Sequence, residues 1–180
     1  MTGTPDPHVI YMNYILGIIF SGLYSLTTQI PWLGLFFIGC YFISFVFIMY
    51  QLMMKGKSLI ETTAYWILST IFICMNLYIF CEMQFTTVAG VLAVTGYFSL
   101  LLDRKKNLGY FIVFEILSIF VRDQSMMLVQ PLGLAMLACV ILKDSSTYQN
   151  KWKNCIKEFI KYLGVVCGVF IIAFIGNYVI

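Results

Sequence analysis

The chain has 180 residues, of which 61% are hydrophobic and only 11% are charged, whereas a soluble globular domain carries about 25% charged residues. This composition excludes a water-soluble fold and predicts that lipid is the solvent for most of the chain. The net charge of +3 does not indicate nucleic-acid binding, because the basic residues lie in short loops between apolar runs. We expect an all-α integral membrane bundle that forms a single transmembrane domain over residues 1–180.

The cysteine and histidine content argues against a metal or disulfide framework. The six cysteines show no CxxC spacing, and most of them lie inside apolar runs, where a free cysteine behaves as a small hydrophobic residue. His8 is the only histidine, which excludes a cluster of several histidines around a metal. We therefore predict no metal site from these residue types.

Residues 1–31 are predicted to form an outer loop and a juxtamembrane helix. Residues 2–11 are the longest polar run without Lys or Arg, and an apolar segment over about residues 8–24 follows. This segment is short for a span, which needs about 20 residues. Asn13, Gly17 and Ser21 recur every four residues and give the narrow polar stripe of a helix that lies at the membrane interface.

Six membrane spans are predicted over residues 32–180, because six apolar runs are separated by polar or basic loops. Residues 143–161 are predicted to be a loop that contains a helix lying on the membrane surface, since its apolar residues share a face opposite its lysines. The predicted spans cover about residues 32–54, 59–81, 85–102, 108–121, 126–142 and 162–180.

The distribution of basic residues predicts the topology. Ten of the eleven Lys and Arg residues lie in the loops 55–58, 103–107 and 143–161, so the positive-inside rule places these loops in the cytoplasm. Arg122 then lies on the outer side. The side of the N-terminus depends on the first helix: the polar leader is outside if that helix lies at the interface, and cytoplasmic if it spans.

The sequence Asp6-Pro7-His8 is the first candidate for chemistry. Two prolines flank Asp6 and restrict the backbone, which would hold two titratable groups just above the bilayer. Asp6 or His8 could act as a base or bind a metal. The alternative is a plain helix start, with Asp6 near the N-cap and Pro7 in the first turn.

Glu115 is the second candidate, because an acid in the middle of an apolar run is costly and is by default a functional hypothesis. The structural alternative is a protonated carboxyl that a neighbouring helix satisfies. Asn76 is a candidate partner, since it continues a polar seam with Thr62 and Ser69 at every seventh residue.

Arg122 is the third candidate, as the only cation outside the three basic loops. Its planar guanidinium suits a phosphate group, and a lipid-linked phosphate would lie at this depth. The alternatives are a local ion pair with Asp123 or contact with lipid headgroups.

The residues 2–14, Leu23-Tyr24 and Pro31-Trp32 together resemble bacterial multi-pass proteins of the GT-C glycosyltransferase type, which include surface-polysaccharide glucosyltransferases. Asp6-x-His8 is similar to the Asp-x-His-Pro-Pro loop of protein O-mannosyltransferases. The resemblance implies transfer of a sugar from a polyprenyl-phosphate carrier to a glycan or lipid acceptor on the outer face of the cell membrane. It also implies catalytic roles for Asp6 and His8 and binding of the donor phosphate by Arg122.

The chain also departs from the family pattern. His8 is followed by Val9-Ile10 instead of two prolines, and the span and acidic pair that the family carries before this loop are missing, so we expect a fragment of a larger protein. A divalent cation is a possible cofactor, but a single carboxylate in the leader is too little to argue for one. The competing hypotheses are a transporter or flippase that uses Glu115 as a relay, and a structural membrane protein.

Overall fold

The computed structural model describes residues 12–56, 58–81, 84–144 and 151–178. In this part of the chain all regular structure is helical, as the composition predicted, and no strand occurs. The helices are α1 (Tyr14–Leu26), α2 (Trp32–Met53), α3 (Leu59–Cys81), α4 (Phe85–Leu102), α5 (Leu108–Val121), α6 (Asp123–Asp144) and α7 (Lys151–Tyr178).

The long apolar runs form helices because a helix satisfies its backbone polar groups internally, which lipid requires. Polar residues fix the helix ends. The Asn13 side chain accepts a hydrogen bond from the Ile15 amide at 3.0 Å at the start of α1, and the Asp103 carboxylate accepts the Lys105 and Lys106 amides just after α4, both at 3.2 Å. Sequence signals of this kind explain why the predicted bounds of α2 to α5 agree with the structure to within a residue.

The start of α6 differs from the prediction. The sequence suggested a polar turn over residues 122–125, but α6 already begins at Asp123, whose acid suits the positive end of a helix dipole. Between α5 and α6, only Arg122 has an extended backbone, with φ −164° and ψ 110°. The connection between α5 and α6 is therefore a single residue.

The prediction of a loop over residues 143–161 was wrong for its second half. Lys151–Tyr178 forms one continuous helix of 28 residues, which is about 42 Å long at 1.5 Å per residue. No glycine or proline interrupts residues 151–163, and lysine is a good helix former. The lysine-bearing turns thus extend the apolar part of α7 instead of forming a separate surface helix.

Within the described residues, fewer helical stretches than the six predicted are long and apolar enough to cross a membrane. By length and composition, four helical stretches in the described part could cross a membrane: Trp32–Met53, Phe85–Leu102, Asp123–Lys143 and Cys155–Ile175. The helix α5 has only 14 residues and rises about 21 Å, less than a hydrocarbon core of about 30 Å. The helix α1, at 13 residues, is shorter still.

The central helix of the bundle is α4, which packs against α2, α5 and α6. Its small side chains let these neighbours approach closely, and Ala89 and Ala93 are completely buried. The helix α5 also contacts α6, α7 and α1, whereas the main contact of α3 is with α2.

Hydrogen bonds between helices define two ends of the bundle. At the first, which we call the basic end, Asn107 contacts Gln51 at the end of α2 at 3.4 Å, and Arg104 contacts Glu158 in α7 at 2.9 Å. At the opposite end, which we call the Arg122 end, Arg122 contacts Thr86 at the start of α4. It follows that α2, α4 and α6 run from the Arg122 end to the basic end, and α5 and α7 run back.

Candidate functional site

Arg122 lies between α5 and α6, and both helices fix its backbone. Its amide donates to the Ser118 carbonyl at 2.9 Å, and its carbonyl accepts the Met126 amide at 3.3 Å. The half-buried side chain extends toward α4, where Nη1 donates to Thr86 Oγ1 at 2.5 Å. Nη2 also approaches the Gln124 side-chain oxygen at 3.4 Å. Both of these acceptors are neutral oxygens, so neither hydrogen bond is the ion pair with Asp123 that the sequence offered as an alternative.

The start of α1 is anchored beside Arg122. The Asn13 amide donates to the carbonyl of Phe120, two residues before Arg122, at 2.9 Å. Its side chain donates to the Ala173 carbonyl in α7 at 3.3 Å, and Asn13 is buried. Asn13, the residue just before α1, therefore lies at the Arg122 end. Asp6 and His8, the predicted catalytic pair, lie outside the described residues.

An apolar groove of about 430 Å³ also opens at this end, between the ends of α5 and α7 and the start of α6. Asp123 is the charged residue in its lining, and Arg122 does not line it. The remaining lining residues are Ile119, Met127, Phe170, Ile171, Ala173 and Phe174.

Glu115 belongs to a buried polar network that joins three helices. Gln130 Nε2 of α6 donates to Glu115 Oε2 of α5 at 2.7 Å, and the Tyr97 hydroxyl of α4 donates to Gln130 Oε1. All three side chains are buried, Glu115 completely. We call these three residues the Glu115 network. Its members lie inside the bundle, away from both ends.

The second carboxyl oxygen of Glu115 lies against a glycine. Oε1 has no hydrogen-bond partner within the described part of the chain, and it lies 3.2 Å from where a β-carbon on Gly96 would be. Gly96 thus makes room for the carboxyl group. A neutral carboxyl costs far less in such a place than a carboxylate, because the polar groups around it, Gln130 and Tyr97, carry no positive charge.

The suggested pairing of Glu115 with Asn76 stays a prediction. The partner of Glu115 is Gln130, and α3, which carries Asn76, packs mainly on α2. The side chain of Asn76 lies outside the described part of the structure.

Sequence reasoning missed Gln130, Tyr97 and Thr86 as members of these two sites. For Gln130 a signal existed, because it is a polar residue inside an apolar helix, the same property that drew attention to Glu115. Tyr97 and Thr86 carry no such signal, since tyrosine and threonine are common in membrane helices.

Within the described ranges no group of three or more His, Cys, Asp or Glu residues could hold a metal ion. Comparison of the chain with protein-family models, with curated protein sequences and with solved structures finds no match. What can be said about function therefore depends on the residues of this chain and their geometry. The described residues form an all-helical bundle. Hydrogen bonds hold Arg122 in a defined position at one end, and the Glu115 network lies in the core.

Proposed function

We propose that the chain is part of a membrane glycosyltransferase that uses a polyprenyl-phosphate sugar donor, with its active-site face at the Arg122 end. The observation that carries this proposal is the hydrogen bond from the Asn13 amide to the Phe120 carbonyl. It holds Asn13, to which the leader with Asp6 and His8 is joined in sequence, beside Arg122, whose position suits a donor phosphate.

The membrane arrangement we propose keeps the six crossing segments of the sequence prediction, with α1 as the juxtamembrane helix. The basic end faces the cytoplasm by the positive-inside rule. If Leu108 lies at that interface, the 14-residue α5 rises only about 21 Å and leaves Arg122 below the opposite interface. A half-buried arginine at this depth would meet the phosphate of a membrane-bound carrier, and a bidentate contact would hold that phosphate.

The leader is long enough to bring its acid to the same place. An extended chain covers at most about 3.5 Å per residue, so the stretch from Asp6 to Asn13 reaches roughly 25 Å. In the proposed reaction Asp6 or His8 accepts the proton of the acceptor hydroxyl. The acceptor oxygen then forms a bond to the anomeric carbon of the sugar, the bond from that carbon to the phosphate oxygen breaks, and Arg122 stabilises the released phosphate.

The test begins with binding of polyprenyl phosphate, because this requires no knowledge of the sugar. The full chain in liposomes should bind the lipid, and Arg122→Gln should weaken binding on the order of tenfold or more, as for loss of a charge-assisted bidentate contact. Lys55→Gln, which removes a cation at the basic end, is the matched control. Equal binding by wild type and Arg122→Gln would overturn the proposal.

Transfer is tested with a panel of polyprenyl-phosphate sugars and radiolabelled sugar. Asp6→Asn should abolish transfer while binding of the carrier phosphate persists. Transfer that survives both Asp6→Asn and His8→Gln would remove the leader from the chemistry.

The Glu115 network favours a second candidate, a transporter or flippase that uses Glu115 as a relay. Its support is the completely buried carboxyl with one oxygen open to Gly96. Flipping of a fluorescent polyprenyl phosphate across liposomes separates the two candidates. Loss of flipping in Glu115→Gln with intact sugar transfer favours transport, and the reverse pattern in Asp6→Asn favours the enzyme. A structural membrane protein is favoured if neither substitution has an effect.

A further inference from the structure

The first turns of α7 carry an exposed row of lysines. Lys153, Lys157 and Lys161 follow one another at four-residue intervals and are all exposed, so they lie along one side of the helix. Ile156 and Ile160 precede two of them and are more than half exposed, at 52% and 58%. This stretch therefore combines a cationic row with an adjoining apolar row.

The positive charges of the α7 lysines are not neutralised by an acidic side chain within the described ranges. The N-terminus of a helix carries a partial positive charge, and α7 has no acidic residue in its first turn, although Lys153 lies there. Glu158 is the acid on this stretch, and it pairs with Arg104 at 2.9 Å. Within the described ranges none of the three lysines forms an ion pair. An external anion would relieve both the repulsion among them and the unfavourable dipole.

The loop between α4 and α5 adds charge at the same level of the bundle. Arg104 contacts Glu158, and its carbonyl accepts a hydrogen bond from the Tyr162 hydroxyl at 3.4 Å. Lys105 and Lys106 follow and are exposed. Positive charge is concentrated in the segments 55–58, 103–107 and 143–161. Together they carry a net charge of +7, compared with +3 for the whole chain.

We propose that the basic end binds anionic phospholipid headgroups of the leaflet that it faces, with the α7 lysines and Lys105 and Lys106 as the contacts. This surface is separate from the Arg122 end and does not depend on the proposed sugar transfer. The exposed isoleucines beside the lysines favour a lipid surface over a soluble acidic protein as the partner. They form one apolar surface with the rest of α7, which would lie in hydrocarbon. A lysine placed there lays its stem along hydrocarbon and reaches the headgroup phosphates with its ammonium group.

The experiment measures lipid selectivity around the full chain in nanodiscs made of equal parts phosphatidylglycerol and phosphatidylcholine. Spin-labelled forms of both lipids report their relative association with the protein. The wild type should prefer phosphatidylglycerol, and the preference should fall as salt rises, because mobile ions screen exposed charges. Replacing the three α7 lysines with glutamine should reduce the preference on the order of fivefold for each lysine that contacts a headgroup.

Two further substitutions accompany the measurement. The same three positions changed to arginine should keep the preference. Glu158→Gln should raise it, because Arg104 loses its acidic partner. A second variant, Lys105→Gln with Lys106→Gln, tests the loop independently if the triple variant folds poorly in phosphatidylcholine alone.

Two outcomes would overturn the proposal. One is a wild type without preference for phosphatidylglycerol. The other is a folded triple glutamine variant that retains the full preference. Binding of a soluble acidic polypeptide to these lysines without any lipid preference would assign the surface to a protein partner instead.

Discussion

Two polar links between helices differ mainly in how much water reaches them. The Glu115 network joins α4, α5 and α6 through side chains that are all buried, whereas Arg104 and Glu158 join the α4–α5 loop to α7 with side chains that are 17% and 50% exposed. Burial removes the competing hydrogen bonds to water, so an unpaired group inside the bundle is costly, while water replaces a lost partner at the end. We therefore expect the free-energy cost of losing a polar contact to fall along a gradient from the core to the basic end. The contact between Arg122 and Thr86, half-buried, lies between the two.

The largest effect is expected for Gln130→Leu. This change removes the donor to Glu115 and the acceptor for Tyr97, so two buried polar groups lose their described partner. We expect a loss of about 3 kcal/mol in the free energy of unfolding, measured by equilibrium unfolding in mixed micelles. Gln124→Leu on the same helix, at an exposed position, is the control and should change little. If Gln130→Leu lowers the free energy of unfolding no more than Gln124→Leu does, the network contributes no stability.

A somewhat smaller effect is expected for Gly133→Ala. A β-carbon at Gly133 would lie 2.5 Å from two atoms of the Tyr97 ring, so Tyr97 must move away from Gln130. Overpacking of this kind costs about 2 kcal/mol. Gly164→Ala, where no atom within the described structure lies within 4 Å, is the matched control and should stabilise the helix slightly, because alanine is the better helix former. Equal effects at the two glycines would contradict the close approach of Tyr97.

Thr86→Val tests the intermediate, half-buried contact. It removes the hydroxyl that accepts from Arg122 Nη1 and keeps the side-chain shape, and we expect a loss of about 1 kcal/mol. Thr70→Val is the control, because Thr70 is exposed and its described hydrogen bond, to the Trp66 carbonyl, stays within its own helix. If Thr86 also positions Arg122 for a phosphate, Thr86→Val should lower the affinity for polyprenyl phosphate as well as the stability. Thr70→Val should lower neither.

The fold was largely predictable because the boundaries of most helices are marked by local residues. Gly, Pro, Asn and clustered charges separate the apolar runs that became α2 to α5. The prediction failed where a local signal was ambiguous. The lysines of residues 151–161 suggested a separate helix on the membrane surface, but no residue between this stretch and the apolar part of α7 interrupts the helix. The apolar pattern also could not show that α5, at 14 residues, is shorter than a typical membrane-spanning helix.

The candidate site was less predictable, because it depends on which helices become neighbours. Helical spacing puts Phe111, Glu115 and Ser118 on one face of α5, and all three are completely buried. The spacing could not show which helices this face meets, so the sequence did not indicate Gln130 as a partner of Glu115. Helical periodicity gives the direction of a side chain around its own axis but not the identity of the opposing helix.

The smallest effect is expected at the basic end. A double-mutant cycle with Arg104→Ala and Glu158→Ala isolates the coupling between the two side chains from the other contacts of each. The pair is half exposed on the Glu158 side, and such pairs contribute about 0.5 kcal/mol. The coupling should shrink further at high salt, since exposed charges are screened, whereas the cost of Gln130→Leu should not depend on salt. A coupling as large as the Gln130→Leu effect would break the gradient from core to end and would mean that lipid or protein shields this pair from water.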